Sequence, residues 1–241
     1  MAASKCVNWL FGRGLSIGCK LEWSVPTEWS HLARDEKISR ITAALRREMD
    51  EPAVDCKVIR CLLNLLAKQT RTGWCHRFIT TNWDYLLQRE ILALPMMVQP
   101  PWLADSHVFH LNGTVEDLPI KSNRSPFLLQ EDSAKQRKVT YEANSVYNKI
   151  IMDQTFVLVG MSFECETDRF LLHALSRVED DLPIGESSWV VVNPNPIALK
   201  HSCQRLQDAL PRALVKPVLA SFGDWVEDRS QELRQSGILV A

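Results

Sequence analysis

The sequence contains no Cys-x-x-Cys pair, although it has seven cysteines, at positions 6, 19, 56, 61, 75, 165 and 203. An odd number without that spacing excludes a four-thiolate zinc site and argues against a disulfide framework. Such usage fits a reducing compartment, so a cytoplasmic location is expected. A dominant charge is also missing: 28 basic side chains meet 29 acidic ones, for a formal net charge of -1. No long-range field then draws the chain toward nucleic acid or an anionic membrane. The short basic clusters at 46–47 and 135–138 read as solvated faces. No run of about eighteen apolar residues occurs, so no membrane span is expected. The early "CVNWLFGRG" is too short and too soon interrupted for a secretory signal. Two nucleotide fingerprints and one hydrolase signature are absent as well. Gly12 and Gly14 begin neither a P-loop nor the six-residue dinucleotide motif, and there is no Gly-x-Ser-x-Gly elbow.

What is present is ordinary for a folded body: 241 residues, 46% apolar and 24% charged. One domain over residues 1–241 is expected, with an inserted loop or small lid at 114–140, the least patterned stretch. Short apolar runs alternate with helical stripes. Runs at 6–11, 78–81, 107–113, 155–160 and 188–193 read as strands, and "VKPVLAS" as an edge strand because it holds Pro217. The "PFLL" of 126–129 reads as lid or minor edge strand. Ile38, Ile41, Leu45 and Met49 lie on one helical face, as do Val58, Cys61, Leu62 and Leu65. Further helices are expected around 141–152, along Leu171, Leu172, Leu175 and Val178, and through Trp225, Val226 and Leu233. Asn195 and Pro196 form a helix start. This alternation predicts an α/β class with a Rossmann-like, mainly parallel sheet and helices on both faces.

Polar residues fall at the ends of these apolar runs: "TTNWD", "HLNG", "GMSF" and "VNPNP". In a parallel doubly wound sheet the ligand crevice lies beyond the carboxyl ends of the strands. Together with the glycine-rich "GRGLSIG" turn, four such ends favour a nucleotide-type ligand over a set of purely structural turns. The turn itself reads either as a backbone cradle for a ligand or as a tight connection without one. His110, nearest its strand end, is the better candidate for a proton acceptor than His107, which should point to the opposite face. The two histidines lack a third ligand, so no metal is expected.

These same residues resemble the sirtuin-like (SIR2-like) superfamily, and its bacterial NAD-consuming branch more than its protein deacylases. "FGRGLSIG" is similar to the family's nucleotide loop and "TTNWD" to its Asn-x-Asp motif. "HLNG" resembles its histidine segment, "VLVGMSF" its Gly-x-Ser segment and "VVVNP" its late asparagine. The match runs from about 6 to 195 in five islands.

The resemblance implies that Gly12, Gly14 and Ser16 approach the pyrophosphate of NAD. It implies that Asn82 and Asp84, with Thr81 beside them, grip the nicotinamide-side ribose and place a water. His110 would act there as general base or orienting group. Gly160 and Ser162 would contact phosphate or ribose, and Asn193 the adenosine ribose. Arg13 stands where relatives carry a small residue, and either meets a phosphate or obstructs the usual pose.

The deacylases' four-cysteine zinc module is missing, and "GCKLEW" lacks their Gly-x-Pro-x-Phe-Arg stretch. NAD hydrolysis to nicotinamide and ADP-ribose is therefore the expected activity, ahead of deacylation. A module that binds NAD or ADP-ribose without turnover is the alternative. Control by a regulatory protein partner or by homo-oligomerisation, and a place in anti-phage defence, follow from the same resemblance. At this length no second sensory domain is expected. The tryptophans of "EWSVPTEW" and Trp225 mark either an interface or packing.

Overall fold

The computed structural model describes residues 5–94, 100–105, 107–115, 128–129, 132, 155–164, 168–169, 171–173, 176, 187–228 and 230–240. The expected helix at 141–152 and most of the 114–140 insertion lie outside them.

Six parallel strands form one sheet: β1 (Lys5–Phe11), β2 (Trp74–Thr80), β3 (Phe109–His110), β4 (Thr155–Val159), β5 (Ser188–Asn193) and β6 (Leu214–Leu219). Their spatial order is β3-β2-β1-β4-β5-β6, every neighbouring pair parallel. The chain leaves β1 toward β2 and β3, then returns to its other side for β4. A topological switch point therefore lies between β1 and β4, and the Rossmann-like α/β fold expected from the alternation is present.

Strand pleating divides the core into two layers. Val7, Trp9 and Phe11 of β1 point to one face, where they pack with α2 (Arg34–Met49), α3 (Lys57–Gln69) and α6 (Phe222–Asp228). Trp9 meets Trp225 edge-on at 5.9 Å between ring centroids. That places Trp225 in the core, with its indole N–H donated to Glu232 Oε2 at 3.1 Å. Leu10, Ile79, Leu158 and Val191 point to the other face, against α5 (Pro196–Ala209) through Leu199 and Leu206. Both faces of β1, β4 and β5 are covered, which is why these strands read as continuous apolar runs.

Three local outcomes differ from the sequence reading. The "GRGLSIG" turn is a short helix, α1 (Arg13–Gly18), that starts directly after β1 with Gly12 as its N-cap. β2 begins at Trp74, four residues earlier than its apolar part. The closing helix is broken into α6 and α7 (Gln231–Gln235). Leu128 and Leu129 belong to neither strand nor helix. The Asn195–Pro196 start is as expected: Asn195 Oδ1 accepts from Ile197 N and Ala198 N at 2.9 and 3.1 Å.

Candidate functional site

Register brings the carboxyl ends level. Phe11 pairs with Thr80 on one side and Val159 on the other, so Gly12, Thr81 and Gly160 follow at the same height. Gly12 donates its N–H to Val159 O and Gly14 donates to Gly160 O, each at 3.0 Å. Both amides are thus engaged within the fold, and what these glycines supply is close approach. A Cβ on Gly14 would stand 2.5 Å from Gly160 Cα, and Gly160 itself has φ +60. Only glycine at both positions lets β1–α1 touch the β4 turn backbone to backbone.

Behind Gly160, the turn is held from α5. Ser202 Oγ donates to Met161 O at 2.8 Å. Arg205 donates to the carbonyls of Ser162 and Phe163, and Phe163 is left-handed at φ +55. A left-handed phenylalanine is unfavourable alone, so these donors fix a turn that would otherwise relax.

The centre of the site is a three-residue network. Asn82 Nδ2 donates to Gly12 O at 3.0 Å and to Ser16 Oγ at 2.8 Å. Ser16 Oγ donates to Asp84 Oδ2 at 2.7 Å, and Asp84 Oδ1 accepts from Leu86 N at 3.2 Å. Two inward amide donations fix the Asn82 side-chain orientation and leave its oxygen as the acceptor available toward the cleft. Burial pushes the Asp84 carboxyl above its ordinary range, while the Ser16 hydroxyl and the Leu86 amide pull it back.

A cleft of about 470 Å³ opens over this network. Its polar wall comprises Arg13, Ser16, Thr81, Asn82, Asp84, Gly160 and Ser162. These are all residues singled out in the sequence, drawn from three strand ends. Its apolar wall is Leu21, Trp23, Val25, Leu45, Trp83 and Leu128, with Asn112, Glu164 and Asp168 at further edges. The volume lies within the range of small-molecule sites, and an apolar lining with a few convergent polar groups is their usual composition. The apolar wall had no local signal: it assembles from the segment after α1, from α2 and from the far side of the insertion. Trp83 and Asn112 could have been found from their motifs. Trp83 Nε1 donates to Leu128 O at 3.0 Å, and Asn112 Nδ2 to Thr81 O at 2.6 Å, which ties both to the site.

His110 and Asn193 stand apart from the cleft lining. The His110 ring is buried with Nδ1 3.4 Å from Asn82 O, behind the main chain of the motif. Its Nε2 is buried without a hydrogen-bond partner among the described residues. Desolvation lowers its pKa to about 4; the Asn82 carbonyl opposes this and His107 adds to it. Asn193 Oδ1 accepts from Asn195 N at 2.9 Å, shaping the turn into α5. Among the described residues no group of three or more His, Cys, Asp or Glu side chains could hold a metal ion. No helix there is long and apolar enough to cross a membrane.

No family profile matches the chain, and no curated protein matches it. Its backbone is similar to a solved structure described as "Structural Basis for the Mechanism and Regulation of Sir2 Enzymes". The TM-score is 0.50 at 14% identity, over 98% of this chain and 94% of that one. The likeness is one of fold, and the fold is SIR2-like.

Proposed function

We propose that the protein is an NAD glycohydrolase, releasing nicotinamide and ADP-ribose. The observation that carries this reading is the Asn82–Ser16–Asp84 network at the switch point, under a cleft of ligand size. Cleavage breaks the bond between the nicotinamide nitrogen and ribose C1′. The bonding pair leaves with the base, which becomes neutral, so no strong acid is needed. C1′ turns cationic, and the buried Asp84 supplies negative density close to it in a low-dielectric setting. Asn82, anchored by its amide nitrogen, offers its oxygen to orient the attacking water, whose oxygen bonds C1′ and which gives up one proton. Arg13, Gly160 and Ser162 at the polar end would receive the pyrophosphate, and the Trp23–Trp83 end the nicotinamide ring. NAD is the substrate, and no metal is required by this chemistry.

Uncontrolled loss of NAD would harm a cell. The reading therefore includes control by a regulatory partner or by self-assembly, in the cytoplasm and in the setting of anti-phage defence. A second reading, binding of NAD or ADP-ribose without turnover, is favoured by one observation: His110 lies behind Asn82 rather than on the cleft surface.

Incubation with NAD and detection of free nicotinamide decides between the two. Release that falls about 100-fold or more in Asn82→Ala, with NAD binding retained, is the expected result. Tight NAD binding by the wild type with no release, alone or in its assembled forms, selects the sensor. Failure to bind any adenine nucleotide removes both.

A further inference from the structure

Two cysteines outside the cleft are placed to react with each other. Cys19 closes α1, its N–H donating to Leu15 O and Ser16 O at 3.1 and 3.0 Å. Cys56 is the N-cap residue of α3, a helix of 13 residues. Asp55 N donates to Cys19 O at 3.0 Å and latches the two segments side by side. The Cys19 thiol is hydrogen-bonded to Cys56 Sγ. Arg89 reaches the same sulfur from α4 (Leu86–Leu92), with Nη2 at 3.4 Å. Cys56 Sγ therefore receives an S–H and a guanidinium while sitting at a helix N-terminus, three features that each favour thiolate. These donors hold its acidity above that of an ordinary thiol although burial opposes them, and Cys19 is pushed the other way, toward the protonated thiol.

Both sulfurs are buried, yet a small path lies beside them. A pocket of about 170 Å³ is lined by Gly18, Lys20, Asp55 and Lys57, the chain neighbours of both cysteines. Lys20 is left-handed at φ +62, so the backbone at this rim is under strain. A molecule the size of hydrogen peroxide fits such a pocket; a bulky alkylating reagent does not.

We propose that Cys19 and Cys56 form a peroxide-oxidisable dithiol, with Cys56 as the attacking sulfur and Cys19 as the resolving one. The Cys56 thiolate attacks one peroxide oxygen, the O–O bond breaks, and Cys56 sulfenic acid and hydroxide form. The Cys19 sulfur then displaces the sulfenic oxygen, which leaves as water with the Cys19 proton. Two thiols have lost two electrons and peroxide has gained them. A dithiol reductant reverses the step by exchange. The pair sits three residues beyond Ser16 on the same helix, but its chemistry does not depend on what the cleft binds.

The test uses the full chain, folded, with peroxide in small excess. Remaining thiols are then alkylated in denaturant and peptides mapped without reductant. Expected are loss of two of the seven thiols, one linked Cys19–Cys56 peptide lighter by two hydrogens, and reversal by dithiothreitol. Cys19→Ser should leave a sulfenic acid on Cys56 that dimedone captures, and Cys56→Ser should leave Cys19 unoxidised. Arg89→Gln should slow the reaction about tenfold, the effect of roughly one unit of thiol acidity. The proposal is overturned if Cys61 or Cys75 is consumed while Cys19 and Cys56 stay fully alkylatable. It is overturned equally if the link forms as fast in the unfolded chain. The wild-type map decides even where a serine variant does not fold.

Discussion

At the scale of single residues, the Asn82 amide and the Gly14–Gly160 contact make opposite demands. Asn82 is a chemical choice: its nitrogen must donate twice and its oxygen must accept. Asn82→Asp has the same shape but replaces the two donors with an acceptor facing Gly12 O and Ser16 Oγ. Its expected effect on nicotinamide release is at least as large as that of Asn82→Ala, measured side by side on protein of equal helicity. Gly14 is a steric choice. A Cβ there meets Gly160 Cα at 2.5 Å, and backbone cannot swing aside as a side chain can. Gly14→Ala should lower unfolding free energy by about 1–3 kcal/mol, the range for overpacking, as read from the urea midpoint. If the midpoint is unchanged, the two segments are not in backbone contact.

At the scale of elements, α5 is the support for one wall of the cleft. Arg205 donates to the carbonyls of Ser162 and Phe163, and the guanidinium is held far from any ligand by α5 itself. Arg205→Ala should weaken NAD binding several-fold while changing kcat less, because a relaxed 160–163 turn misplaces Gly160 and Ser162 before the chemical step. Calorimetric titration with NAD checks it; unchanged affinity would mean that the turn holds without α5.

Elements also show where sequence reading works. β4 and β5 were legible because strands covered on both faces must be apolar throughout. The α5 start was legible because Asn195 and Pro196 act locally. The first half of β2 was not, since Cys75, His76 and Arg77 look like loop. Their polarity is satisfied at long range: His76 by Trp9 and Thr70, and Arg77 by Asp105 and Asn8. α1 was hidden by its glycines, whose low helix propensity is outweighed by burial of Leu15 and Ser16. The site divides in the same way. Its polar wall was readable from motifs at strand ends, whereas Trp23, Leu45 and Leu128 reach the cleft only through tertiary packing.

At the scale of the whole molecule, two buried histidines set the acid limit of the fold. His76 accepts the Trp9 indole N–H on Nδ1 at 3.0 Å, and its Nε2 lies 3.0 Å from Thr70 Oγ1. A ring with Nδ1 as acceptor is neutral, and burial lowers its pKa to about 3. His110, also buried, is lowered to about 4. In the unfolded chain both titrate near 6.5. Between that value and the folded ones the unfolded state binds more protons, so stability is full above about pH 6.5 and is lost as pH falls. Each histidine contributes a slope of up to about 1.4 kcal/mol per pH unit in its window. Asp84 works in the opposite sense: its folded pKa is raised, so its contribution is present at low pH and is lost as pH rises. Two histidines against one carboxyl leave a net loss on acidification, steepest between about pH 6 and 4 where both rings are called on to charge. Urea unfolding at pH 7.5, 6, 5 and 4 should show the midpoint falling at each step. His76→Gln should flatten part of that slope, at the cost of lower stability at pH 7.5 because the Trp9 and Thr70 bonds are not both remade. A midpoint independent of pH over this range would mean that both rings reach water in the folded protein, and with them the strand end on which Asn82 is built.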